Sequence, residues 1–314
     1  FALSVPPTLP AEPPRPAAKV TCRARGRVTT ITCGDLKMAV DRTAAAVLSV
    51  DWAGHRVLSR GPELNLWRAT TDNDGIRGWT GQDWKPMGQW LAAGLNEMRV
   101  AAATTAITTD GDDVLVTLDR TYVGKDPAKP ARHLQVLRVV PTGEIRVENT
   151  VDVSPGLPSL PRIGVSLQTP AGFEHVEWFG RGPHENHIDR NAGAPVGRYG
   201  GTVDEQFVPY VLPQENGNKT DVRWFQIDDG VAGVRFSAPG LCELSVRHFT
   251  GQDLFRCYHL NDLEDVRRPE TVICLDHRQR GVGTGSCGPQ TLPKYCVEPG
   301  THRFGYVMMP FALR

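Results

Sequence analysis

Charge of one sign is what this 314-residue chain most plainly lacks: 35 Lys and Arg offset 35 Asp and Glu, for a formal net charge of zero. Without a basic stripe there is no electrostatic footprint for nucleic acid. Long apolar runs are missing as well, and none would cross a bilayer as a helix. Neither nucleic acid nor a membrane is therefore expected as a partner. Cysteine is scarce and odd in number, seven residues with no Cys-x-x-Cys spacing. That pattern argues against a complete disulfide framework and a zinc ribbon, and it points to reduced thiols in the cytoplasm. Cys22 and Cys33, which flank a turn, are the pair placed to bridge should the chain be exported. Strands do not alternate with helices of roughly ten to fifteen residues, which argues against a (β/α)₈ barrel or a nucleotide-binding sheet. There is no internal repeat.

What the chain does have is glycine and proline, 32 and 25 residues, favouring many short elements joined by turns. Strand-like runs are Arg27 to Cys33, Leu36 to Asp41, Ala46 to Trp52, Val114 to Tyr122, Arg132 to Val140, Glu144 to Val153 and Arg162 to Gln168. Others follow at Val176 to Phe179, Val222 to Ile227, Val231 to Ser237, Leu241 to His248, Val272 to Asp276 and His302 to Met309. Gly34-Asp35 between the first two is a hairpin signal, and Asp110-Gly111 and Asp229-Gly230 mark further turns. Gln82 to Leu95 reads as a helix whose start Pro86 restricts, and Asp253 to Leu260 as a shorter one. The fold class expected is all-β, a large antiparallel β-sandwich. Ahead of it, Pro6 to Pro16 reads as an extended polyproline-type connector. Because the sequence begins at Phe1, the expectation is a piece of a longer polypeptide with any export signal upstream.

Chemistry-bearing residues gather in four places. Trp178-Phe179-Gly180-Arg181-Gly182-Pro183-His184-Glu185-Asn186-His187-Ile188-Asp189-Arg190 runs from an apolar strand through a turn into a burst of hydrogen-bonding side chains. That layout puts a polar constellation at the mouth of a β-framework, where sugar-handling proteins place recognition groups. Phe207-Val208-Pro209-Tyr210-Val211-Leu212-Pro213-Gln214-Glu215-Asn216-Gly217 follows about twenty residues later. Glu185 and Glu215 are read as hydrogen-bonding backbone amides in tight loops. His184 and His187 lack a further ligand at zinc spacing, so no metal is assigned to the chain. Asp72-Asn73-Asp74-Gly75 begins like a calcium loop, but Ile76 stands where the next acidic ligand belongs and no Glu closes it. Asp72 is left as an Asx-turn former or a cleft residue, with the turn preferred. Trp79, Trp84 and Trp90 offer rings for a pyranose, although helical spacing reads Trp84 and Trp90 as core. The glycine-rich stretch from Leu275 to Pro289, followed by Pro293-Lys294-Tyr295, has no Gly-Lys-Ser/Thr and no following helix; it reads as a loop that closely approaches something.

Three of these stretches, together with Leu66-Trp67-Arg68-Ala69-Thr70-Thr71-Asp72-Asn73-Asp74, resemble the C-terminal β-sandwich of bacterial β-galactosidases of glycoside hydrolase family two, also seen as a separate small subunit. The resemblance implies a supersandwich of the galactose-mutarotase-like type over residues 19–314, with 1–18 as linker and end of a preceding β-domain. It also implies retaining hydrolysis of terminal β-D-galactosides by the complete enzyme, which needs two carboxyl groups roughly 5–5.5 Å apart. Those catalytic glutamates belong to a barrel outside this chain, and no motif here matches them. The barrel portion, whether same polypeptide or large subunit, is thus the implied partner, with a galactoside as substrate. An oligomer is expected. No cofactor is assigned to this chain, and a divalent cation is left to the barrel. The loop at Ser286, Cys287 and Gly288 resembles the family's loop into the galactosyl site, with Cys287 where a tryptophan often stands. Asp72, Asn73, His184, Glu185, Asn186 and Glu215 remain pocket or scaffold candidates. Two other readings stay open: a stand-alone aldose mutarotase or epimerase, drawing on His184, His259, Glu185 and Glu215, or a non-catalytic carbohydrate-binding module.

Overall fold

The computed structural model describes residues 15–313. In chain order its strands are β1 (Thr21–Arg25), β2 (Val28–Cys33), β3 (Leu36–Asp41), β4 (Ala46–Trp52), β5 (His55–Leu58) and β6 (Arg60–Asn65). After helix α1 (Pro86–Ala93) come β7 (Arg99–Asp110), β8 (Asp113–Val123), β9 (Ala131–Val139), β10 (Ile145–Val153), β11 (Arg162–Ala171), β12 (His175–Arg181) and β13 (Val196–Thr202). The remainder is β14 (Lys219–Asp228), β15 (Ala232–Arg247), helix α2 (Gly251–Arg256), β16 (Glu270–Gln279) and β17 (Gly300–Ala312).

β1 to β5 form an antiparallel meander. The other strands make a twelve-stranded sheet whose main path runs β13-β12-β14-β15-β17-β10-β9-β8-β7. Alternation explains how the two sheets meet. β8 and β9 bury every second residue, so Val114, Val116, Leu118, Leu137 and Val139 form an apolar face. Ile31, Leu36, Met38 and Val40 of the meander share one core with that face, which makes the molecule an antiparallel β-sandwich as expected. A second cluster around Trp67, Trp90, Leu160, Ile163 and Val297 seats α1 beside the end of β6.

β15 is the joint of the architecture. Its first part, Ala232 to Ser237, pairs with β17, and its last part, Glu243 to Arg247, pairs with β16. β16 then continues the sheet through β11 to β6. The two expected strands, Val231 to Ser237 and Leu241 to His248, are therefore one sixteen-residue strand whose register against β14 shifts around exposed Pro239. A proline is tolerated there because its missing N–H falls between two ladders.

Other expectations shift by smaller amounts. α1 is shorter than its apolar spacing suggested: Pro86 occupies its first turn, and Gly94 ends it at φ 73°. α2 covers only the front of its expected span, with Thr250 and Asp253 forming a capping box. Trp90 is fully buried, as read, whereas Trp84 lies ahead of the helix and is 63% exposed. Cys22 and Cys33 are both free; Cys22 faces Ile31 in register, and Cys33 is buried against the carbonyls of Val140 and Pro141. The connector expected over Pro6 to Pro16 lies, through residue 14, outside the described residues.

Candidate functional site

Four connections converge on one side of the sandwich. They are the segment after β6, the β12–β13 loop, the segment before β14 and the long β16–β17 loop. Between them lies a cleft of about 430 Å³, whose walls include Asp72, Asn73, Glu185, His187, Tyr210 and Ser286.

The segment after β6 is fixed from within. Arg68 and Asp74, the ends of its signature, form a buried ion pair at 2.7 Å, and Asp74 also accepts from the Thr71 amide and hydroxyl. The turn-forming carboxylate is thus Asp74. Asp72 is exposed, borders the cleft, and offers its backbone N–H to Gln214. The preferred turn-forming role for Asp72 is corrected accordingly.

The β12–β13 loop is held by Asn186. Its Oδ1 accepts from the amide and hydroxyl of Thr220 at 2.9 and 2.6 Å, and its Nδ2 donates to the His184 carbonyl. Beside it, Glu185 accepts from the Tyr210 hydroxyl at 2.8 Å and from the Gly217 amide, with His187 Nε2 3.6 Å away. Burial pushes the Glu185 carboxyl up, but its hydrogen-bond donors outweigh that and hold it below the usual glutamate range. Tyr210 moves oppositely: burial and its bond to Glu185 push the phenol up. Gly217 is required where it stands, with φ 75° and a Cβ position only 2.5 Å from the Gln206 carbonyl.

Glu215 makes different contacts from those expected. Its side chain meets no backbone amide; it sits between Arg162 and Arg247, all three fully buried or nearly so, with Arg247 2.9 Å away. Burial alone would raise this carboxyl, yet the two guanidinium groups lower it strongly. His184 and His259 are exposed, and His259 lies with Asp262 outside the cleft walls. The histidine beside the carboxylate is His187, whose buried Nδ1 has no partner among the described residues. The sequence offered a cue to it, as the second histidine of the Glu-Asn-His run.

The glycine-rich loop is tied down at two points. Asp189 accepts from the amides of Val282 and Gly283 at 3.0 and 2.8 Å. Asn73 accepts from the Ser286 amide and hydroxyl at 3.0 and 2.8 Å and donates to the Gly283 carbonyl. A Cβ on Gly285 would fall 2.6 Å from the Asn73 carbonyl, so glycine is what lets the two backbones touch. Ser286 borders the cleft, and Cys287 is exposed next to it without bordering it. Chemically the walls offer donors and acceptors together with three carboxylates: exposed Asp72, Glu185 engaged by two hydrogen-bond donors, and Glu215 paired with two arginines. Glu185 and Glu215 fit positioning better than acid–base work, which needs a carboxyl free to change charge.

Comparison with known proteins bears on this geometry. The family described as Beta galactosidase small chain matches residues 32–308. A β-galactosidase of Vibrio cholerae is 36% identical over 263 residues, which is 80% of this chain and 24% of the relative. One of Priestia megaterium is 30% identical over 298 residues, 92% of this chain and 27% of the relative. The chain thus spans about a quarter of the length of the curated relatives it matches. Among solved structures, a galactose mutarotase-like protein from Lactobacillus casei is similar over 90% of this chain and 100% of its own, at 8% identity and a TM-score of 0.49.

Proposed function

The chain belongs to the beta galactosidase small-chain family, and from that premise we propose that it is the wall-forming module of a β-galactosidase. The complete enzyme, on this reading, hydrolyses terminal β-D-galactosides with retention, using a carboxylate pair on a barrel supplied by the rest of the polypeptide or by a large subunit. The present chain contributes the Ser286-Cys287-Gly288 loop to the galactosyl subsite and is inactive by itself. What carries this reading is the double tether of that loop. Asn73 and Asp189 hold its backbone at the rim of an open polar cleft.

Two further observations support it. Glu185 is held below the usual glutamate range by its hydrogen-bond donors and Glu215 by two arginines, so neither is poised to give up a proton as a general acid. Among the described residues, no three His, Cys, Asp or Glu side chains gather where a cation could sit. On this reading a divalent cation, where the complete enzyme uses one, belongs to the barrel. The mutarotase alternative calls for a histidine and a carboxylate facing each other across a pocket. The pair found here, His187 and Glu185, are near neighbours on one loop.

With a thiol in place of an aromatic ring, the subsite is roomier and lacks a stacking surface. Cys287→Trp in the complete enzyme is expected to tighten galactoside binding by about 1–3 kcal/mol, the scale of an aromatic contact with its buried area. The chain alone should leave a chromogenic β-galactoside unhydrolysed and should not speed galactose anomer interconversion. A structure of the assembled enzyme with bound galactoside is the deciding measurement: a Cys287 loop far from the sugar overturns the reading.

A further inference from the structure

β7 ends the twelve-stranded sheet, paired with β8 and, among the described residues, with no other strand. Proteins normally keep such edges short, charged or interrupted, because a row of unpaired N–H and C=O groups templates another strand. The other exposed strands here follow that rule. β1 carries Arg23 and Arg25 within five residues, and β13 has three glycines and Arg198 within seven. β7 does not. It is twelve residues long, and between Arg99 and Asp110 it carries neither charge nor proline, only Val, Ala, Thr and Ile.

The placement of those two terminal charges is informative once one bulge is counted. Val100 lies opposite Tyr122 and Ala102 opposite Thr121, so Ala101 is an extra residue. Twelve residues of β7 therefore fill the eleven rungs offered by β8, and Thr105, opposite Leu118, is the middle rung. A two-fold axis through Thr105, perpendicular to the sheet, would lay the same strand of a second copy alongside in antiparallel order. Thr105 then meets Thr105, Ala103 meets Ile107, Ala102 meets Thr108, and Arg99 meets Asp110 at both ends. Moving the axis to Thr104 or Ala106 takes Arg99 and Asp110 off each other, and a parallel arrangement sets like charges together. Arg99 has no ion pair among the described residues, and Asp110 shares Arg138 with Asp113, which leaves an acidic excess at that end.

We propose that β7 is a self-association edge: two copies of this chain join antiparallel through β7 about an axis at Thr105, and Arg99–Asp110 pairs set the register. Small alanine and threonine side chains along most of the strand let the backbones approach without a steric block.

The test is sedimentation velocity of the 314-residue chain over a concentration series. The wild-type chain should dimerise. Arg99→Glu should weaken the dimer by roughly tenfold, since it sets like charges opposite each other at two places. The double variant Arg99→Glu/Asp110→Lys should recover most of that loss. Both sites are exposed, so unchanged circular dichroism and melting serve as the folding control. Register is read separately by oxidising Thr105→Cys in a Cys22→Ser/Cys287→Ser background, which removes the exposed thiols. A covalent dimer should form there, and much less readily with Ala106→Cys. A chain that is monomeric throughout overturns the proposal. So does a dimer indifferent to Arg99→Glu, because association then uses another surface. The readout is mass, so the outcome does not depend on any hydrolytic activity.

Discussion

Asn186 shows how one side chain decides the shape of the cleft. It is 1% exposed, and its amide group satisfies the Thr220 amide, the Thr220 hydroxyl and the His184 carbonyl together. Replacement by alanine leaves the buried Thr220 amide and hydroxyl without these partners, and burial without a partner is what makes a polar group costly. Asn186→Ala is expected to lower unfolding stability by about 1–3 kcal/mol, measured in a urea titration against the wild type. Unchanged stability accompanied by a selective loss of sugar affinity would instead place Asn186 in a binding pocket. Such assignments were only half visible in the sequence. Asn-His and Glu-Asn-Gly runs announce polar loops, but they do not say which partner a side chain will find. Glu215 was read as a loop carboxylate, and its partners Arg162 and Arg247 lie on strands distant in sequence. Nothing local in the chain marks that pairing.

At the level of elements, β11, β15 and β16 bring charged groups into a dry interior. Asp276 on β16 stands directly opposite Glu243 on β15, with Arg162 of β11 3.4 Å away and Glu215 nearby. Burial raises the Asp276 carboxyl to about 7; Arg162 opposes the rise, while Glu243 and Glu215 add to it. Glu243 is also raised, chiefly by burial. The folded chain therefore binds a proton at Asp276 more tightly than the unfolded chain does. Its stability should fall as pH rises from about 4 through 7, as ionisation becomes favourable only in the unfolded chain. Asp276→Asn removes that proton linkage at this position. Its stability relative to wild type should increase across the same pH window, by roughly 2–4 kcal/mol, in denaturant titrations run at several pH values. A constant difference across the window would show that Asp276 does not titrate there. Strands such as β3 and β4 were legible to the residue, because apolar alternation and flanking turns agree. β7 and β13 were not. Alanine, threonine and glycine give an edge strand no apolar period, since neither face is fully buried.

Across the whole molecule, the sheet order places the last described strand in the interior of the largest sheet. β17 lies between β15 and β10, with nine rungs against β10 and six against β15. A chain shortened to end before Gly300 would bare both neighbours. It is expected in the insoluble fraction, and adding a peptide spanning 300–313 during refolding should recover soluble material. Recovery of a soluble, cooperatively melting chain without the peptide would sink that expectation. The all-β class and the run containing β17 are legible in the sequence, but the strand's position in the sheet depends on non-local pairing that no window of residues contains. The consequence reaches into biosynthesis. A ribosome adding roughly 5–20 residues per second must release residues 300–312 before β10 and β15 acquire their shared neighbour. Until then the two nascent edges wait bare, and a chaperone has that interval in which to shield them.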